Sequence, residues 1–141
     1  MIAYASVYGN TRRAAELLAE ELEALGCENV ALTDLARCDM AEAVEDAFRY
    51  DRLVLASTTY NADVFPFMRE FIHELTERSY QGRTVGIIEN GSWSPMAAKR
   101  IKAMLEGSKN ITFTDTTVTV RSALNDESKA AIKALAMELN K

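Results

Sequence analysis

The sequence predicts an α/β domain: one parallel sheet of five strands, wound on both faces by helices into a three-layer, doubly wound architecture. Three observations lead there. Short apolar runs alternate strictly with segments whose apolar residues recur at helical spacing, five times over. One run, Arg52 to Ser57, is apolar at both parities, as a central strand covered on both faces must be. Each right-handed crossover between parallel strands has to return over one face of the sheet, so the alternation builds helical layers around it. A chain of 141 residues is one ordinary domain, long enough to bury a core without disulfides or a structural metal.

In chain order, residues 2–6 read as a buried strand. From Asn10 the apolar positions Ala14, Ala15, Leu17, Leu18, Leu22 and Leu25 predict a helix that Gly26 ends. Asn29 to Thr33 is a short second strand, and Asp39 caps a helix to Phe48 with Met40, Ala43, Val44, Ala47 and Phe48 inward. After the central strand comes a polar loop, Thr58 to Asp63. Pro66, at a first-turn position, then opens a helix carrying Met68, Phe71, Ile72 and Leu75. Thr84 to Ile88 is the fourth strand, with Glu89 to Trp93 as its loop. Ser94 is expected to cap a helix begun at Pro95 and closed by Gly107. Ile111 to Val120 alternates threonine with apolar residues and gives the last strand, and Asn125 or Asp126 caps a final helix through Leu139.

Composition narrows the function. A formal net charge of −5 argues against nucleic acid or an anionic membrane as the main partner. No apolar run approaches the ~20 residues that span a bilayer. Cys27 and Cys38, with His73 as the one histidine, fit neither a zinc site nor a redox CxxC. Free thiols without a signal peptide lead to the expectation of a reducing cytoplasm. The cysteines are read as small hydrophobes, His73 as structural, and Arg12 and Arg13 as a solvated helix face. Met1 stands almost on top of the first strand, which suits one domain, 1–141, cut from a longer polypeptide.

In open parallel sheets a ligand sits outside the carboxyl ends of the strands, where strand order reverses. Three loops share that edge: Ser6–Thr11, Ser57–Asp63 and Glu89–Ser94. In the first, Ser6-Val7-Tyr8-Gly9-Asn10-Thr11, a strand turns into a helix. A dianion there meets backbone N–H groups and the positive end of the helix dipole, Gly9 permits close approach, and the Ser6 and Thr11 hydroxyls add hydrogen bonds. The stretch lacks both the Gly-Lys-Ser/Thr ending of a triphosphate loop and the three glycines of a dinucleotide fingerprint, so one terminal phosphate fits best. The plainer alternative is a strand-to-helix turn with Asn10 or Thr11 as N-cap. A magnesium-binding receiver domain would need acidic residues where Ser6 and Ser57 stand. Tyr60 and Trp93 offer rings that can stack on a flat heteroaromatic system, although Trp93 also suits core packing and Tyr60 a solvent-facing loop.

These stretches resemble the flavodoxin family, and most closely the flavodoxin-like domain of the flavodiiron flavoproteins, over essentially the whole chain. Ser6 to Thr11 resembles that family's phosphate loop. Ser57-Thr58-Thr59-Tyr60-Asn61, followed by Phe65-Pro66, is similar to its second flavin loop, and Gly91-Ser92-Trp93-Ser94 to its third, with Asn90 beside it as a further cofactor-binding candidate. Thr58 stands where proline is common in that family, and Gly91 where an aromatic is. The resemblance implies strand order 2-1-3-4-5 and bound FMN taking electrons one at a time, with the peptide at Tyr60-Asn61 facing the flavin N5. It further implies an electron-transfer module serving a redox partner protein or an attached metal-centre domain. The alternative is a flavin-dependent reductase of quinone, oxygen or nitric oxide, or the flavin domain of one. Diiron ligands would lie in a separate domain, because one histidine cannot supply them. Monomer and dimer both stay open. Glu89 either sits near the ring, where its charge would disfavour an anionic reduced flavin, or points into solvent.

Overall fold

A computed structural model describes residues 1–5, 9–60, 63–91, 96–121 and 123–140; of Tyr60 and Asp63 it describes the backbone. The elements in order are β1 (Ile2–Ala5), α1 (Asn10–Ala24), β2 (Leu32–Asp34), α2 (Met40–Arg49), β3 (Arg52–Tyr60), β4 (Asp63–Val64), α3 (Pro66–Glu77), β5 (Thr84–Asn90), α4 (Ala97–Met104), β6 (Thr112–Val120) and α5 (Asp126–Leu139). Five strands pair in parallel in the order β2-β1-β3-β5-β6. With the two-residue β4 set aside, that is the expected 2-1-3-4-5. Order reverses between β1 and β3, whose register pairs Ala5 with Ser57.

Strand parity divides the core into two layers. Ala3, Leu53, Leu55, Val85 and Ile87 face α2, α3 and α4, where Val44, Phe71, Ile72 and Ile101 are buried against them. Ile2, Val54, Ala56, Ile88 and Val118 face α1 and α5, against Leu18, Ile132 and Leu135. Gly86 lets α5 come close, since a Cβ there would stand 3.0 Å from Leu135 Cδ1. The helix starts follow local chemistry. Asp39 accepts from the amides of Ala41 (2.9 Å) and Glu42 (3.4 Å), and Asn125 exchanges bonds with Ser128 in a capping box. Leu25, expected inward on α1, is 43% exposed.

The structure corrects several boundaries. Thr58 and Thr59 are not loop: β3 runs on to Tyr60, and Thr59 and Tyr60 pair antiparallel with Val64 and Asp63. Glu89 and Asn90 likewise extend β5 instead of opening a loop. The second strand is Leu32–Asp34, later than the expected Asn29 to Thr33, although Ala31 still accepts from the Ile2 amide at 2.7 Å. The fourth helix begins at Ala97; Ser94 and Pro95 lie outside the described residues.

The last strand carries an irregularity that its sequence does not announce. Val85 pairs with Phe113 but Ile87 with Thr117, so the Thr114–Thr116 stretch bulges from the ladder. Its amides are satisfied from outside the sheet: the Glu138 carboxylate on α5 accepts from Asp115 N and Thr116 N, each at 3.0 Å.

Candidate functional site

The carboxyl edge at the β1/β3 reversal holds the start of α1. At 15 residues, α1 is the longest of the described helices, and among the described residues no side chain caps it. Its first turn holds no acidic residue, and its N-cap is Gly9 at φ 87° with nothing within 4 Å of where a Cβ would stand. A helix N-terminus with no acidic residue in its first turn turns the positive end of its dipole toward an anion, worth about 0.3–1 kcal/mol in the open and up to ~2 kcal/mol when partly buried. Asn10 is the first residue of this helix and is half-buried.

Thr11 follows, fully buried. Its Oγ1 lies 3.1 Å from Thr58 Oγ1 and accepts from Asn90 Nδ2 at 3.2 Å. One hydroxyl thus joins the start of α1 to the ends of β3 and β5. Strand parity explains the meeting, because Thr58 and Asn90 pair across the ladder and their side chains point to the α1 face. A proline at Thr58 would have no hydroxyl to offer.

The alternate residues reach the other face. Ser57, also fully buried, donates its hydroxyl to the Thr58 carbonyl (3.0 Å) and accepts from the Phe65 amide (3.2 Å), closing the β3–β4 turn onto the start of α3. Thr59 Oγ1 accepts from Met96 N (3.1 Å) and Ala97 N (3.3 Å). Glu89 Oε1 accepts from Ala98 N (3.1 Å), and its Oε2 from the Thr119 hydroxyl (2.8 Å). Glu89 therefore points into the protein, not into solvent. The Gly91 amide donates to the Val120 carbonyl at 3.0 Å.

Of the residues expected at the site, the structure brings together Gly9, Asn10, Thr11, Ser57, Thr58, Thr59, Asn90 and Gly91, with the Tyr60 backbone on the same edge. Ser6, Val7, Tyr8, Asn61, Ser92 and Trp93 lie outside the described residues. Thr119, which sequence reasoning passed over as one more strand threonine, belongs to the same edge through Glu89. Glu89 was the available signal, as a carboxylate continuing an apolar run. Elsewhere, Arg12 and Arg13 are exposed, Arg12 3.2 Å from Glu16. His73 is exposed beside Glu77. Both cysteines are half-buried, Cys27 donating to Asn140 Oδ1. Among the described residues no helix is long and apolar enough to cross a membrane.

Solved structures share this architecture at low identity. Rubredoxin oxygen:oxidoreductase from Desulfovibrio gigas superposes with a TM-score of 0.91 at 21% identity, over 99% of this chain and 34% of that one. The flavodiiron protein from Giardia intestinalis gives 0.86 at 21%, over 97% of this chain and 34% of that one. Flavodoxin 2 from Bacillus cereus gives 0.82 at 21%, over 97% and 94%. The chain thus spans about a third of the length of the first two and nearly all of the third. No curated protein sequence matches it. A family model described as flavodoxin domain matches residues 1–112, and with this sheet order and this edge, the chain belongs to the flavodoxin family, whose cofactor is FMN.

Proposed function

We propose that the chain holds FMN at the carboxyl ends of β1, β3 and β5 and serves as an electron-transfer module for a partner protein or metal centre. The observation that carries this is one buried hydroxyl, Thr11, that joins the start of α1 to the ends of β3 and β5, at a helix whose first turn holds no acidic residue. The phosphate belongs at that helix start, with Ser6 to Thr11 around it. The stretches Ser57–Asn61 and Asn90–Trp93 flank the ring, Trp93 stacking on it and the Tyr60-Asn61 peptide facing N5. FMN supplies one-electron redox chemistry; the protein's share is to bind the ring, orient it and shield it from water.

The likeness to flavodiiron proteins, which this chain matches over about a third of their length, supports a second form of the same reading. Here the domain feeds electrons to a metal centre carried by another domain or another subunit, within an oxygen or nitric oxide reductase.

Two experiments test these readings. Purified protein titrated with FMN should quench flavin fluorescence, and Trp93→Ala should restore emission and loosen binding. A colourless protein that leaves FMN emission unchanged ends the proposal. The reduced chain, mixed with oxygen, nitric oxide or quinones, should react without sustained turnover; multiple turnover by the chain alone would make it a reductase in its own right.

A further inference from the structure

Glu89 ends the apolar run of β5 and is 9% exposed. A carboxylate taken that far out of water needs donors, and it has two, each from a different element. Ala98 N, from the second residue of α4, reaches Oε1 at 3.1 Å, and the Thr119 hydroxyl, from β6, reaches Oε2 at 2.8 Å.

The first bond is unusual for what it replaces. Among the described helices, α2 and α5 are capped by side chains of their own N-cap residues, Asp39 and Asn125. At α4 the N-cap residue, Met96, offers no side-chain bond. The leading amides of α4 go instead to neighbouring strands: Met96 N and Ala97 N to Thr59 on β3, and Ala98 N to Glu89 on β5. A cap within the loop would satisfy the helix and leave it free to move with the loop. A cap reaching out from the sheet fixes the helix start to the strand ends. At the other end of the connection Gly91 is held by the Val120 carbonyl. Gly91 and the start of α4 are therefore both tied to strand ends, Gly91 to β6 and α4 to β3 through Thr59 and to β5 through Glu89.

We propose that Glu89 is a positioning residue for the cofactor edge: its buried carboxylate, bonded to Ala98 at the start of α4 and to Thr119 on β6, fixes the start of α4 and the end of β6 against the end of β5, on the edge that takes the flavin ring. The inference rests on the FMN reading above. The carboxylate acts through these elements and through the favourable pairing of a negative group with a helix N-terminus.

The test compares Glu89→Gln, Glu89→Ala and the milder Thr119→Val with the parent protein, at a temperature where near-ultraviolet circular dichroism shows each to be folded. FMN and riboflavin are titrated separately, and hydrogen exchange is followed at the Ala98 amide. Glu89→Ala should lose protection at Ala98 and weaken both flavins alike by about tenfold, because that edge takes the ring they share. Glu89→Gln keeps an acceptor for Ala98 and a partner for Thr119, and should bind both flavins within about threefold of the parent. Thr119→Val, should Glu89→Ala not fold, is expected to weaken both by about threefold. Folded Glu89→Ala that binds flavin as the parent does overturns the inference. So does a loss confined to FMN, or a glutamine variant no better than the alanine one. A parent that binds neither flavin overturns the FMN reading itself, and this inference with it.

Discussion

Asn90 Nδ2 donates to Thr11 Oγ1 at 3.2 Å, inside the protein and across 79 residues of sequence. With Thr58 Oγ1 at 3.1 Å, the Thr11 hydroxyl holds the start of α1 and the ends of β3 and β5 in one arrangement. Thr11→Val keeps the shape and removes the hydroxyl, leaving the buried Asn90 and the half-buried Thr58 short of a bond. The loss should be about 1–3 kcal/mol of stability, read as a lower urea midpoint with unchanged slope. Thr11→Val and Asn90→Ala share one contact, so their effects should fall short of additive by at least about 0.5 kcal/mol. Strict additivity in the double variant would mean that the bond contributes nothing.

A second prediction concerns the far end of the sheet. Arg83 donates to the carbonyls of Tyr50 (3.0 Å), Phe48 (2.9 Å) and Gln81, closing the C-terminus of α2, and its guanidinium lies over the rings of Phe48 and Tyr80. Tyr80 is buried beneath it, its hydroxyl 3.4 Å from the Ala47 carbonyl. Burial pushes the Tyr80 phenol up to about 12 from 10.0; the nearby Arg83 charge works against that rise and Asp51 adds to it. The unfolded chain therefore releases this proton at lower pH than the folded one. The stabilisation is complete below the unfolded value and is lost as pH rises toward the folded one, about 2–3 kcal/mol in all. Urea midpoints at about pH 9 and about pH 11 should fall further for the parent than for Tyr80→Phe. An equal fall in both would assign the alkaline limb to other groups. At neutral pH Tyr80→Phe should cost under about 1 kcal/mol, because the hydroxyl bond is long.

The layers of the fold are legible in the sequence because burial writes itself as periodicity. Leu53 to Ala56 must be apolar on both faces, and Met68, Phe71, Ile72 and Leu75 must share one face of a helix. The carboxyl ends of β3 and β5 are not legible, and for one reason. Thr58, Thr59, Glu89 and Asn90 read as loop because they are polar, yet each has its polar atom satisfied by another element, which lets the strand continue into the protein. Partners 47 and 79 residues away leave no local pattern. The edge could be assigned from topology alone; the single hydroxyl that joins the start of α1 to the ends of β3 and β5 could not.

The bulge in β6 gives a third prediction. Glu138 accepts from the amides of Asp115 and Thr116, which the ladder has released. Glu138→Ala would leave the exposed Asp115 amide to water and the half-buried Thr116 amide short of a bond, and should lower stability by about 0.5–1.5 kcal/mol. Glu138→Gln retains one acceptor and should recover part of that. Exchange at the Asp115 and Thr116 amides should speed up in the alanine variant while the amides of β1 and β3 stay protected. If those two amides exchange no faster, the ladder has re-formed without the bulge and Glu138 is not what sustains it.

The last prediction returns to the start of α1. Gly9 has φ 87° and ψ −13°, a left-handed conformation that a residue with a Cβ adopts at a cost of about 1–2 kcal/mol. Nothing lies within 4 Å of that Cβ position, so Gly9→Ala tests backbone conformation alone, without a clash. Relief of the strain requires the turn before Asn10 to rotate away from its present geometry, carrying with it the first amides of the helix. If those amides hold the phosphate, FMN affinity should fall by about fivefold to tenfold while riboflavin, which has no phosphate, binds within about twofold of the parent. This is the opposite signature to the one expected at Glu89, where both flavins should weaken together. Equal losses for FMN and riboflavin in Gly9→Ala would move the phosphate away from α1, and unchanged binding of both would show that the turn accommodates alanine without moving the amides.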